Sequence, residues 1–322
     1  MSVYIGIDVS KATLDVGLVS ARGREHARFE NSPAGFVQLG RFLTKRRAKG
    51  GQVCMEATGQ YGEALADYLH AAGYRLSVVN PAQVRGYAQS RLSRNKTDKV
   101  DAYLLADFCR EHHPPRWTPP PAEWRELRAL VRHYEDLSEA RQQTLNRLEI
   151  ESAAPLVQHQ LKAHLAFLDS QLALTKQAIL DHLNQHPDLR QQKDLLTSIP
   201  GIGDLTAGKL LAECRSLTDF TNVRQLVAFA GLNPQHHQSG TSVHKHTAIS
   251  RCGSASLRHA LYMPALVAIR HNPILSAFAK RLSAAGLPKK AVIVAVMRKL
   301  LHLVFGVLKS GRPFDPNFLA AT

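Results

Sequence analysis

Along the first third of the chain, apolar positions recur every second residue in short runs and every third or fourth in longer ones, the periods of strand and helix. Val3 to Asp8 (VYIGID) reads as an apolar strand ending in a carboxylate, Thr13 to Ser20 (TLDVGLVS) as a second, and His26 to Asn31 as a polar third. A helix is expected from Pro33 to about Lys45, then a buried strand, Gln52 to Glu56 (QVCME), again closing on a carboxylate. An amphipathic helix from Tyr61 to Ala72, a strand from Arg75 to Val79, a turn at Asn80-Pro81 and a helix from Thr97 to Arg110, capped by Thr97, complete the series. Three meandering strands followed by helix, strand, helix, strand and helix is the element order of the ribonuclease H fold, an α/β domain.

Trp117 to Pro121 (WTPPP) cannot continue a helix and reads as a linker. Ala122 to Gln185 contains no glycine and one proline, Pro155; within it Leu161, Leu165, Leu168, Leu172, Ile179 and Leu183 recur at the spacing of a coiled-coil seam, which an ordinary amphipathic helix would also show. The remainder is helical, from Leu195 to Glu213, through Gln225 to Pro234 and a polar loop, to helices beginning near Ser254 and Pro288. The expected organisation is therefore an α/β domain over 1–115, a linker with long helices over 116–190, and an all-α domain over 191–322.

Charge narrows the partners. The 41 Lys plus Arg against 26 Asp plus Glu leave 41 − 26 = +15 over 322 residues, an excess that attracts polyanions. Nucleic acid is the natural partner. The longest apolar runs, around Ala260 to Ile269 and Ala291 to Met297, are too short to cross a bilayer, so no membrane association is expected. Met1 to Lys11 lacks the basic and apolar segments of a leader, and Cys54, Cys109, Cys214 and Cys252 show no disulfide or zinc spacing; a reducing cytoplasm is the expected location. Cys109 with His112 and His113 reads as a helix terminus before Pro114 and Pro115.

Asp8 and Glu56 each end an apolar strand, and parallel neighbouring strands would set both at one sheet edge, where active sites of open α/β sheets form. Asp98 and Asp101, three apart on a helix, share a face that could turn toward that edge. Four converging carboxylates suit one or two Mg²⁺ ions serving phosphodiester chemistry, although Asp98 in a first helical turn also suits the helix dipole. Asp15, Glu63, Asp67 and Asp107 read as solvated acids, Asp15 being the one that could support a ligand. GIDVSKATLDVGLV would also open an actin-like or sugar-kinase ATPase, but the second phosphate loop and glycine-rich adenosine pocket of that class are missing.

Ser198 to Gly203 (SIPGIG) between apolar helical segments matches a helix-hairpin-helix element, in which Gly201 and Gly203 let backbone N–H groups approach a phosphate. Arg94, Lys96, Lys99, Arg251 and Arg258 are the further cations expected at phosphates. The loop NPQHHQSGTSVHKH offers hydroxyls at Ser239, Thr241 and Ser242 beside His236, His237, His244, Lys245 and His246; spacing alone does not choose a nucleophile among them.

YIGIDVSK, MEATG, NKTDKVDA, SIPGIG, FAGLNP with QSG, and SLRHALYMPA occur in this order, and together they resemble the insertion-sequence transposases with a DEDD-type RuvC-like N-terminal domain and a C-terminal transposase domain, some of them bridge-RNA-guided recombinases. The resemblance runs from Tyr4 to about Phe314 and is weakest across the central helices. It implies metal binding by Asp8, Glu56, Asp98 and Asp101, and a nucleophile at Ser239 that attacks a DNA phosphate and forms a phosphoserine link. It also implies donor and target DNA, a non-coding guide RNA, and a homo-oligomer, dimer or tetramer, whose active site pairs the acidic domain of one subunit with the serine domain of another. Two other activities stay open on the residues alone: a metal-dependent junction nuclease without a covalent intermediate, and a non-enzymatic DNA-bridging protein.

Overall fold

A computed structural model describes residues 3–57, 59–91, 97–150, 154–214, 220–235, 238–239, 243–244, 248–250 and 252–317. The chain divides into two compact units, Met1–Pro119 and Pro120–Thr322. The break falls inside the proline run expected to be a linker.

In the first unit, β1 (Tyr4–Val9), β2 (Thr13–Ser20), β3 (Gly23–Glu30), β4 (Gln52–Glu56) and β5 (Arg75–Val79) form one sheet in the order β3-β2-β1-β4-β5. β1, β2 and β3 pair antiparallel, whereas β1–β4 and β4–β5 are parallel. This is the ribonuclease H topology expected from the element order. Alternation sorts the side chains: Ile5, Ile7, Leu14, Val16, Val53 and Met55 enter one apolar core with α1 (Pro33–Lys45) and α2 (Glu63–Ala71). The opposite face carries Gly6, Gly17 and Cys54 beneath α4 (Asp98–His112).

In this unit one helix escaped the sequence pattern. Asn80-Pro81, read as a turn, is the start of α3 (Pro81–Ser90): the Asn80 side chain accepts from the Ala82 N–H at 2.8 Å, and proline occupies the first helical position. A cap residue followed by proline was the available signal.

In the second unit, α5 (Ala122–Glu149) and α6 (Pro155–Gln185) run antiparallel, joined by an Arg141–Asp169 ion pair at 2.5 Å and, at the other end, by His182 Nε2 on Glu123 O at 2.8 Å. Leu161, Leu168, Ile179 and Leu183 of the expected seam are buried. Trp124, Leu127 and Val131 of α5 share one core with Ile179, Leu183, Leu261, Val296 and Leu300, so the long helices and the C-terminal helices pack as one body. The others are α7 (Pro187–Thr197), α8 (Asp204–Glu213), α9 (Val223–Phe229), α10 (Ala255–His271), α11 (Pro273–Ala284) and α12 (Lys289–Ser310). The apolar run read as Ala291 to Met297 belongs to the 22-residue α12, which by length and composition could cross a membrane; Val292, Val296, Leu300, Leu301 and Val304 of that helix are core residues.

Candidate active site

The parallel register of β1 and β4 runs from Tyr4↔Gln52 to Ile7↔Met55, and one residue beyond it on each strand stand Asp8 and Glu56. Both share the face of Gly6 and Cys54, the face that α4 covers. α4 lies unusually close: a Cβ on Gly6 would stand 2.0 Å from Ala102 O and 2.4 Å from Ala106 N. It also runs antiparallel to β1, because Arg28, opposite Asp15 in the sheet, reaches Asp98, while Arg24, opposite Val19, reaches Asp107 at 2.8 Å. The amino end of α4, with Asp98 and Asp101, therefore lies at the Asp8 and Glu56 end of the sheet. Thr97 caps it, accepting from the Val100 N–H at 3.3 Å.

Asp15, opposite Asp8 across β1 and β2, is only 2% exposed and is not the solvated acid expected from the sequence. His26 Nε2 lies 2.8 Å from its Oδ1, and Arg28 Nε donates to both carboxylate oxygens, at 3.1 and 3.0 Å. Arg28 Nη2 donates in turn to Asp98 Oδ2 at 3.0 Å. The bond to Asp15 holds the Arg28 guanidinium above its ordinary pKa. Asp107 is also buried, paired with Arg24 and with Arg110 at 3.0 Å. Both acids alternate toward the α4 face of strand or helix, and their basic partners on β3 were the signal that could have found them.

Carboxylates at two strand ends, Asp8 and Glu56, and on the first turn of α4, Asp98 and Asp101, are donors of the type a hard divalent cation takes, so donor chemistry fits such an ion. Among the described residues no three His, Cys, Asp or Glu side chains stand close enough together to hold a metal; Asp98 is turned to Arg28 instead. Asp8, Glu56 and Asp101 have interactions of their own.

The SIPGIG segment does join two helices, α7 and α8. Gly201, at φ +111°, packs on α10, where an added Cβ would meet Ala268 Cβ at 2.8 Å; Gly203 faces open space at the amino end of α8, which no side chain caps. Ser239 belongs to a two-tiered hairpin: β6 (Pro234–Gln235) pairs β9 (Ala248–Ile249), and β7 (Gln238–Ser239) pairs β8 (Val243–His244), with Ser239 opposite Val243. The side chain of Ser239, and Arg94, Lys96, Thr241, Ser242 and Arg251, lie outside the described residues. Lys99 is exposed on the first turn of α4. Arg258 donates to two backbone carbonyls, Ala230 O at 2.9 Å and Gly253 O at 3.3 Å.

A ribonuclease H-topology domain bearing carboxylates at its sheet edge, followed by a helical domain with a serine hairpin, defines a nuclease-like class of DNA-processing proteins. Residues 5–150 match a family model described as "Transposase", and residues 193–280 one described as "Transposase IS116/IS110/IS902 family". The chain is 34% identical to the "Pilin gene-inverting protein" of Moraxella lacunata and to that of Moraxella bovis, over 97% of its own length and 97% of theirs. It is 24% identical to the "Transposase for insertion sequence element IS1111A" of Coxiella burnetii, over 83% of this chain and 78% of that one. Among solved structures, T. thermophilus RuvC in complex with Holliday junction substrate matches with a TM-score of 0.27 and 13% identity, covering 36% of this chain and 99% of that one. The chain belongs to the IS116/IS110/IS902 transposase family and is a transposase or DNA recombinase, an enzyme of strand cleavage and rejoining.

Proposed function

We propose that this enzyme mobilises a DNA element through a phosphoserine intermediate, with Ser239 as nucleophile and Asp8, Glu56, Asp98 and Asp101 as ligands for Mg²⁺. The observation that carries the carboxylate half is the placement of Asp8 beside Glu56 at the carboxyl end of adjacent parallel strands, with the first turn of α4 drawn to the same end. Bound there, a divalent cation would supply positive charge against a phosphate and its departing oxygen. Ser239 Oγ forms a bond to phosphorus as the bond to one strand oxygen breaks; the serine loses its proton and the departing oxygen gains one. The number of phosphodiester bonds is conserved, so the reverse attack by a strand hydroxyl rejoins DNA without ATP. The excess of 41 basic over 26 acidic residues supports polyanionic partners, donor and target DNA together with a guide RNA. A homo-oligomer, dimer or tetramer, would supply the carboxylates and the serine to one site from different subunits.

The 34% identity with two gene-inverting proteins, extending over 97% of the chain, favours a second outcome of the same chemistry, inversion of the DNA between two sites. A plasmid carrying two candidate sites in inverted orientation distinguishes inversion from insertion.

The mechanism is tested with a nicked DNA substrate that traps the covalent adduct. Ser239→Ala should bind DNA and form no adduct, whereas Ser242→Ala should remain active. Asp8→Asn or Glu56→Gln should abolish cleavage in a protein that still folds by circular dichroism, since each removes a proposed metal ligand and keeps the side chain's shape. An adduct mapped to Ser242 or Thr241, or normal cleavage by Asp8→Asn, overturns the corresponding assignment.

A further inference from the structure

The hairpin that carries Ser239 grows from two legs, residues 229–235 on one side and 248–250 with 252–254 on the other, and the structure stitches these legs together at several points. Ser250 N–H donates to Asn233 O at 3.0 Å, and Ser250 Oγ lies 2.6 Å from Asn233 Oδ1. Ser254 N–H donates to Phe229 O at 2.8 Å. Gly253, at φ +152°, lies so close to the first leg that a Cβ would stand 2.2 Å from Phe229 O. Across this junction reaches Arg258, from the first turns of α10, and its Nη1 donates to one carbonyl on each leg, Ala230 O and Gly253 O.

We propose that Arg258 is a positioning residue for the Ser239 hairpin, acting by locking its two legs onto α10 and not by contacting phosphate. A half-buried guanidinium committed to carbonyls of both legs fixes the angle at which the hairpin leaves the helical body. That angle matters because Ser239 is four residues beyond Gln235. Four extended residues span at most about 13 Å. Over a reach of that size a tilt of about 5° at the base displaces the serine by at most roughly 1 Å, and misplacement on that scale can lower the rate of a reaction about 100-fold. The inference rests on Ser239 as the nucleophile.

The test uses the full-length protein and a suicide DNA substrate, comparing wild type, Arg258→Gln, Arg258→Lys, Ser250→Ala and Ser239→Ala. Arg258→Gln should form the covalent adduct about 10- to 100-fold more slowly at saturating DNA. Its DNA affinity and the slope of log affinity against log salt should stay at wild-type values. Arg258→Lys, which keeps a donor without the fork, should recover part of the rate. Ser250→Ala, which removes the side-chain stitch but not the backbone one, should slow the same step to a smaller degree and covers the case in which Arg258→Gln does not fold. A salt slope lower by about 1 with an unchanged rate at saturation would show a phosphate contact and overturn the proposal. So would wild-type adduct rates in Arg258→Gln or, should that variant not fold, in Ser250→Ala. If Ser239→Ala forms the adduct normally, the nucleophile assignment falls instead, and Arg258 loses the group it is meant to position.

Discussion

Arg28 Nη2 lies 3.0 Å from Asp98 Oδ2, and through this bond the third strand of the sheet holds the first turn of α4. The same guanidinium is anchored from behind by Asp15, which is buried, whereas the Asp98 side chain is 61% exposed. Burial decides which bond matters to the fold. An exposed ion pair is screened and contributes little, while the buried acid has exchanged all its water for His26 and Arg28.

Asp15→Ala should therefore destabilise the protein by about 2–3 kcal/mol, the worth of charged hydrogen bonds lost from a buried position. Asp98→Asn should change stability by less than about 1 kcal/mol. Urea denaturation of the two variants measures the contrast, and equal losses would show that the bridge, not the buried anchor, carries the stability. Asp98→Asn should nevertheless lose cleavage if Asp98 is a metal ligand.

The close approach of α4 to β1 depends on Gly6. Gly6→Ala places a methyl group 2.0 Å from Ala102 O, so the helix must shift, at a cost of about 1–3 kcal/mol or more. The shift would also carry Asp98 and Asp101 away from the strand edge, so cleavage should fall together with stability. Gly86, with open space at its Cβ position within α3, is the control: Gly86→Ala should be neutral or stabilising by up to about 1 kcal/mol. Thermal melts that rank the two variants the other way would contradict this packing.

Thiol chemistry should separate one cysteine from three. Cys54, Cys109 and Cys214 are buried and Cys252 is exposed. Burial pushes the Cys214 thiol up to about 12, and contact with Cys109 together with burial pushes Cys54 up as well. Iodoacetamide at pH 8 should label Cys252 in the native protein and the other three only after unfolding, as peptide mass spectrometry would show. A thiol whose pKa is raised on folding stabilises the native state below its ordinary pKa and loses that contribution as pH rises toward the folded value. Stability should thus decline between pH 9 and about 12. Rapid native labelling of Cys214, or a melting temperature flat across this window, would count against a sealed site.

The candidate site was legible where it depends on strand ends. VYIGID and QVCME close on carboxylates after apolar runs, and strand alternation with parallel pairing is enough to set Asp8 beside Glu56. Asp15 and Asp107 were misjudged as solvated, because a lone acid in a strand or helix carries no local mark of burial. What satisfies them once buried is the guanidinium of Arg28 or Arg24, on another strand or 83 residues away along the chain. Arg258, expected at phosphate, gave no sign in the sequence of the two backbone carbonyls that its Nη1 also serves, because those carbonyls are set around it only by folding.

By itself the sequence determined the five strands and their order, most of the helices, the proline break between the units and the serine loop after α9, since these follow from period, breaker and motif over short stretches of chain. Tertiary structure alone decided that α4 runs antiparallel to β1 at glycine distance, that the seam of α6 is met by α5 of the same chain, and that Gly201 packs on Ala268. Each of those depends on surfaces remote in sequence meeting without voids, and a local pattern records which face is apolar but not which apolar face will cover it.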